Sequence, residues 1–284
     1  MDYLATKYLK AKKIPSTACS GCGLGQVHKK VLLAIDELGL TTGDIVWGTG
    51  IGCSGRQTFN TWQGDNFAGT HGRVYAIATG LRLALPPQQK IVLTVGDGDA
   101  FGIGLLHLLN AVRRNVDVTV IVADNFGYQS TGGQYGCTTP FGSVTDSSPY
   151  GMQDPNWVED GRDILDILRA AGAGFLARHT SVEGQNAVES IKKAIRFTGF
   201  SLVHIIYPCI TNFAGKALGS RKPVVAYRWL KERTNPDPAA KEKIAGITFT
   251  TGIYHETASG RPEFGEQLRQ FIAAMRQEGQ HAAN

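Results

Sequence analysis

Apolar positions along the chain follow two alternating rhythms. Short, nearly continuous β-branched runs, at 45–48, 91–95, 118–122 and 202–207, predict strands buried on both faces. Between them, Val27, Val31, Ile35 and Leu38 recur at helical spacing and predict a helix over 26–38. The same rhythm predicts helices over 71–85, 101–114, 162–171, 182–196 and 264–275, the last through Phe264, Leu268, Phe271, Ile272 and Met275. Strand 91–95, helix 101–114 and strand 118–122 form a βαβ unit. The predicted fold is α/β, a mostly parallel sheet covered by helices on both faces. Segment 124–160, rich in Gly, Thr, Ser, Pro and Asp, and segment 208–262, basic and weakly periodic, break the pattern. Loops of that length usually carry function or an interface. We expect an α/β domain over 1–207 and a C-terminal extension over 208–284 packed on the core or on a partner, without a cut into independent units.

Composition narrows the function classes. With 284 residues, 42% hydrophobic and 19% charged, the chain is neither disordered nor collagen-like. The net charge of +5 is mild and no long block of like charges occurs, so no nucleic-acid partner is implied. No segment reaches the roughly 20 apolar residues of a membrane span, and the first residues lack a secretory apolar core. A soluble, cytoplasmic protein is expected. Five cysteines are an odd and sparse number for a secreted disulfide framework, and a Cys-x-x-Cys pair in a reducing compartment favours metal ligation or redox chemistry.

Candidate chemistry gathers at predicted strand ends. Gly96-Asp97-Gly98-Asp99 follows strand 91–95 and leads into a helix, so backbone N–H groups converge at a point suited to a diphosphate. Asn125, in Asp124-Asn-Phe-Gly127, follows the next strand 28 positions later. Mg²⁺ takes about six oxygens, commonly from one or two carboxylates plus phosphates. The Asp97 carboxylate, the Asn125 amide oxygen and the Gly127 carbonyl would supply three of them. Alone, Gly-Asp-Gly also describes an ordinary βα turn with Asp97 as a helix cap. Together with Asn125, it is similar to the thiamine diphosphate (TPP) binding motif, and that resemblance sets Gly96, Gly98 and Asp99 beside the diphosphate.

Cys19-Ser-Gly-Cys22 precedes the first helix, Cys53 follows strand 45–48, and Cys209 follows strand 202–207. Four thiolates suit an iron–sulfur cluster or a structural zinc, and their spacing does not separate the two. Any one of them could instead be a small buried hydrophobe, Cys137 above all. In α/β sheets ligands bind outside the carboxyl ends of the strands, where Cys53, Asp97, Asn125 and Cys209 all fall. One crevice could hold both centres.

Over nearly its whole length the chain resembles the β (TPP-binding) subunit of 2-oxoacid:ferredoxin oxidoreductases. The resemblance is carried by Cys19-Ser-Gly-Cys22-Gly, Gly50-Ile-Gly-Cys53-Ser-Gly-Arg56, His71-Gly-Arg73 with Ala78-Thr79-Gly80, Gly96-Asp97-Gly98-Asp99, Asn125, Thr131-Gly-Gly-Gln134, Thr138-Thr-Pro140 and Tyr207-Pro-Cys209. It implies a TPP-binding fold and a CoA-dependent oxidative decarboxylation, best matched by 2-oxoglutarate, with pyruvate or a broader 2-oxoacid range behind it. It also implies Mg²⁺ and one [4Fe–4S] cluster on Cys19, Cys22, Cys53 and Cys209. Ile51, Gly52, Cys53 and Ser54 would line TPP, with Gln129, Ser130 and Thr131 near its diphosphate or thiazolium. His71 would lie against the cofactor or cap the next helix. Arg56 would pair with a substrate carboxylate or remain a solvated surface cation. No lysine or glutamate stands out as a base; the activating glutamate is expected on an α subunit. Ferredoxin is the expected acceptor and a dimer of αβ pairs the expected assembly. A non-oxidative TPP decarboxylase subunit and a zinc-stapled binding module are the rivals. The chain departs from the family where Tyr135-Gly136-Cys137-Thr138 replaces a common Ser-Pro-Thr, which leaves the shape of that loop open and could bring Cys137 to the cofactor.

Overall fold

All four β-branched runs enter one sheet in the computed structural model, which describes residues 3–151, 154, 156, 158, 163–237, 248–257 and 261–282. The strands are β1 (Ile45–Thr49), β2 (Asn66–Ala68), β3 (Lys90–Gly96), β4 (Val118–Asp124), β5 (Phe175–Thr180), β6 (Phe200–Ile206), β7 (Thr234–Asn235), β8 (Phe249–Thr250) and β9 (Gly252–Glu256). Seven of them run in the order β2-β1-β3-β4-β6-β5-β9; all neighbours are parallel except β9, which lies antiparallel on β5. Strands β7 and β8 form a separate short pair.

The helices are α1 (Tyr3–Tyr8), α2 (Leu24–Glu37), α3 (Cys53–Thr61), α4 (Val74–Ala84), α5 (Asp97–Phe101), α6 (Leu105–Arg114), α7 (Ile164–Ala170), α8 (Gln185–Arg196), α9 (Phe213–Ala217), α10 (Pro223–Glu232) and α11 (Phe264–Ala282). Period-two alternation along the central strands sends Val92, Ile121, Ala123 and Val203 to one face, where Val27, Val31 and Ile35 of α2 and Ile191 and Ile195 of α8 cover them. Ile91, Leu93, Val95, Val120, Val122 and Leu202 point to the other face, beneath Val74 and Ala78 of α4, Leu108 and Val112 of α6 and Leu165 and Leu168 of α7. Each fully buried Val, Leu or Ile contributes roughly 1.5–3 kcal/mol. The sheet therefore stays rigid while its carboxyl edge is left to loops.

Several local expectations change. The helix expected from 71 begins at Val74, because Gly72 at φ 71° makes the preceding residues a turn. The helix expected over 101–114 is two, α5 and α6, broken at Gly102, whose backbone is far from helical. Strand β5 and helices α3 and α10 lie outside the expected elements. Part of segment 208–262 supplies α9, α10 and strands β7 to β9, and β9 closes the sheet edge. The helix expected from 162 starts at Ile164; residue 162 and parts of segments 124–160 and 208–262 lie outside the described residues.

Candidate active site

Chain order reverses at β1: from β1 the path goes to β2 on one side and then to β3 on the other. Such a reversal leaves a crevice at the carboxyl ends of β1 and β3. A cavity of about 380 Å³ occupies it, within the usual range of roughly 300–1,000 Å³ for a cofactor pocket. It is lined by Ile51, Gly52, Cys53, Ser54 and Arg56 after β1, by His71, by Gly96, Asp97, Gly98 and Asp99 after β3, and by Asn125, Gly127, Gln129, Ser130 and Thr131 after β4. Every residue assigned from sequence to the cofactor, to magnesium or to substrate thus meets at one site. Ala123, Tyr128 and Tyr207 line it too.

Asp97 begins α5 and is 3% exposed. Its Oδ2 accepts from Thr138 Oγ1 at 3.0 Å, and the same hydroxyl lies 2.8 Å from Asp124 Oδ1. One hydroxyl proton cannot serve two ionised carboxylates at once. Burial, joined by the neighbouring Asp124, pushes Asp97 well above the usual carboxylate range, and burial lifts Asp124 to about 6. A buried carboxylate of this kind calls for a cation. Asn125 donates from Nδ2 to the Tyr207 hydroxyl at 2.8 Å, which turns its Oδ1 away from that bond and leaves it available to a metal. Gly127 sits at φ 130°, where a Cβ would come within 2.5 Å of the Gln134 carbonyl, so only glycine gives this turn.

Behind Asp124 runs a buried charged chain. His204 Nδ1 accepts from Arg178 Nε at 3.0 Å, so the proton sits on Nε2 and is donated to Asp124 Oδ2 at 2.9 Å. Arg178 also grips Asp163 through two bonds of 2.5 and 2.6 Å. Burial and the adjacent Arg178 hold His204 far below its usual range, and therefore neutral.

Further polar atoms in the cavity wall have no hydrogen-bond partner among the described residues: Ser54 Oγ, Gln129 Oε1 and Asp99 Oδ2. Such orphans are costly unless a ligand meets them. Asp99 Oδ1 accepts from Gly72 N–H at 2.8 Å and lies 2.9 Å from His71 Nδ1, off line for a hydrogen bond. Asp99 is therefore a brace for the cavity wall as well as part of its lining. His71 does not cap α4, whose cap residue is Arg73 with no side-chain bond; its ring instead stands edge-on to Tyr128 with centroids 6.1 Å apart. Arg56 is exposed at the cavity mouth.

Of the cysteines, only Cys53 lines the cavity. Burial, and then the nearby Cys209, Cys19 and Cys53 thiols, push Cys22 up to about 12; Cys53 is likewise raised by burial and by Cys209 and Cys19. Cys22 and Cys53 therefore both lie near Cys19 and Cys209. Cys19 is exposed, Cys22 and Cys53 are half-buried, and Cys209 is buried, its sulfur accepting from Asn212 N–H at 3.4 Å. Among the described residues no three His, Cys, Asp or Glu side chains close on a single ion. Cys137 stands apart from this group, packed against the second core face, and burial, then the nearby Asp97 and Asp124 charges, push its thiol up.

Sequence reasoning did not single out Tyr207, Thr138, Asp124 or Tyr128. Tyr207 and Thr138 stood inside recognised motifs, but no local pattern shows that their hydroxyls reach Asn125 and Asp97.

Residues 50–205 match the thiamine pyrophosphate enzyme, C-terminal TPP binding domain family. The chain is 36% identical to the 2-oxoglutarate synthase subunit KorB of Methanocaldococcus jannaschii over 96% of its own length and 99% of that protein. It is 35% identical to the β subunit of 2-oxoacid:ferredoxin oxidoreductase 2 of Aeropyrum pernix, covering 76% of this chain and 64% of that one. The solved 2-oxoglutarate:ferredoxin oxidoreductase of Magnetococcus marinus, with 2-oxoglutarate, coenzyme A and succinyl-CoA bound, superposes with a TM-score of 0.80 at 26% identity, covering 95% of this chain and 90% of that one. No helix among the described residues is long and apolar enough to cross a membrane. With the TPP-type crevice in place and one relative matched over nearly the whole of both chains, the chain belongs to the thiamine pyrophosphate enzymes as a β subunit of the 2-oxoglutarate:ferredoxin oxidoreductase family.

Proposed function

We propose that this chain provides one half of the active site of a cytoplasmic, CoA-dependent 2-oxoacid:ferredoxin oxidoreductase, the other half coming from an α subunit in a dimer of αβ pairs. The reaction is 2-oxoglutarate plus coenzyme A to succinyl-CoA and CO₂, with two electrons leaving singly to ferredoxin, or the reverse. When bound, TPP supplies the electron sink at the 2-oxo carbon. Asp97, Asn125 and the Gly127 carbonyl hold Mg²⁺, and the buried, charge-deficient Asp97 supports that role. Ser54, Gln129 and Ser130 meet the cofactor's polar edge, supported by the orphaned Ser54 and Gln129 oxygens in the wall. Arg56 at the mouth pairs with a substrate carboxylate.

One observation carries the reading: Cys53 belongs both to the cavity wall and to the thiol group with Cys19, Cys22 and Cys209. A cluster held by these four would therefore lie beside the cofactor. A centre beside the cofactor favours a [4Fe–4S] cluster over zinc, because a cluster accepts single electrons and zinc does not.

Anaerobic co-purification with the α subunit, followed by iron, sulfide, zinc and TPP analysis, tests the reading. Four iron and one TPP per αβ pair are expected, with acceptor reduction fastest on 2-oxoglutarate among 2-oxoglutarate, pyruvate and 2-oxobutyrate. Pyruvate turning over fastest would change the substrate assignment. Iron-free protein with TPP would mark a non-oxidative decarboxylase, and zinc without TPP a binding module. Turnover by this chain alone would overturn the divided site.

A further inference from the structure

We propose that the outer face of α10, beside the thiols of Cys19, Cys22, Cys53 and Cys209, docks a small acidic one-electron carrier protein. The inference rests on the cluster reading above and adds where the electrons leave. Transfer moves one electron from the cluster to the carrier's own iron centre, oxidising the first and reducing the second, with no bond made or broken and no proton moved.

The thiol group reaches the surface at Cys19. Cys19, Ser20 and Gly21 are all exposed. Helix α10 packs against that place: a Cβ on Gly21 would stand 2.5 Å from Pro223 Cγ, and Tyr227, one turn further, is close enough to Cys22 for the thiol to affect its phenol. Pro223 and Tyr227 thus face the cysteines, Ala226 and Leu230 face the core, and the outward stripe carries Val224, Arg228, Lys231 and, at its end, Glu232, which pairs with Arg233. On or just before that stripe stand Arg221, Lys222, Arg228 and Lys231, all exposed, around Val224, which is 59% exposed.

Charge is segregated in the same direction. Segments 3–35 and 209–231, which deliver three of the four cysteines, contain eleven Lys and Arg and no Asp or Glu, although the whole chain is only +5. Some of these cations have local tasks: Lys7 pairs with Asp36, Lys30 donates to the Ser181 carbonyl, and Lys216 pairs with Asp146. Arg221, Lys222, Arg228 and Lys231 form no ion pair among the described residues. Unpaired cations around an exposed apolar residue, next to the surface end of a redox site, match an acidic partner that must arrive fast and leave again.

The test uses the assembled αβ enzyme and a purified, oxidised acidic ferredoxin. Ferredoxin is titrated by calorimetry at low and physiological salt into wild type and the triple variant R221E/K222E/R228E. Turnover with methyl viologen, a small acceptor that needs no docking face, is followed in parallel. Expected are about tenfold weaker ferredoxin binding at low salt, a flatter salt dependence and unchanged viologen reduction. Arg169→Glu, on the exposed side of α7, leaves ferredoxin binding unchanged. Unaltered affinity in the triple variant overturns the proposal, as do loss of the α subunit or a raised coenzyme A KM with normal ferredoxin binding, which would assign the face to another occupant. An enzyme devoid of iron overturns the cluster reading itself, whereas an iron-loaded enzyme indifferent to the substitutions overturns only the docking face.

Discussion

Tyr207→Phe isolates the geometry proposed for the metal ligands, because it removes one oxygen and keeps the ring. In the structure that oxygen accepts the Asn125 Nδ2 proton at 2.8 Å, and Asn125 is only 7% exposed. Without it the amide keeps a buried donor with no partner, which costs about 1–3 kcal/mol. It also becomes free to rotate and present nitrogen instead of oxygen to the cation. We expect the apo protein to melt about 2–4 °C lower per kcal/mol lost, and Mg²⁺·TPP to bind roughly tenfold more weakly. Thermal melts of the apo chain and calorimetric titration of the αβ enzyme with Mg²⁺·TPP measure both. Unchanged melting together with wild-type Mg²⁺·TPP affinity in Tyr207→Phe would refute the idea that Tyr207 fixes the Asn125 amide.

Three further outcomes are expected. Because Asp97 and Asp124 titrate above the usual carboxylate range in the apo fold, the apo chain binds more protons than its unfolded form between about pH 4 and 6 and loses stability as pH rises through that window. A divalent cation favours the ionised carboxylates, so the melting shift on adding Mg²⁺·TPP grows from pH 5 to pH 7.5; a pH-independent shift would contradict this. Cys209→Ala lowers iron per αβ pair in anaerobic preparations while Cys137→Ala leaves it unchanged, and equal losses would place the cluster elsewhere. Arg178→Met strands the Asp163 carboxylate that Arg178 grips from 1% exposure and destabilises the chain by about 3–5 kcal/mol, read by urea denaturation; a loss under 1 kcal/mol would mean the pair is solvated.

The chain's own pattern was enough to expect the α/β architecture, since β3, β4 and β6 are runs of β-branched residues that only a sheet covered on both faces can bury. It was also enough to gather Cys53, Asp97, Asn125 and Cys209, because strand ends in a parallel sheet share one edge and each of these stood at such an end. Strand β5 was invisible for the opposite reason: Phe175–Thr180 carries Arg178 and His179, and their burial depends on partners in other elements, Asp163, Ser190 and the distant Tyr254. Helix α10 buries only Ala226 and Leu230, too few positions to set a rhythm. The Thr138 bridge between Asp97 and Asp124 exists only because the loop after β4 folds back over the strand ends, and the Tyr207 hydroxyl meets Asn125 only because β4 and β6, far apart in sequence, are neighbours in the sheet. Periodicity and motif spacing are local properties, so the sequence by itself determined the layers and the edge where chemistry gathers. Hydrogen-bond partners and charge compensation depend on distances between remote segments, and those the tertiary structure alone decided.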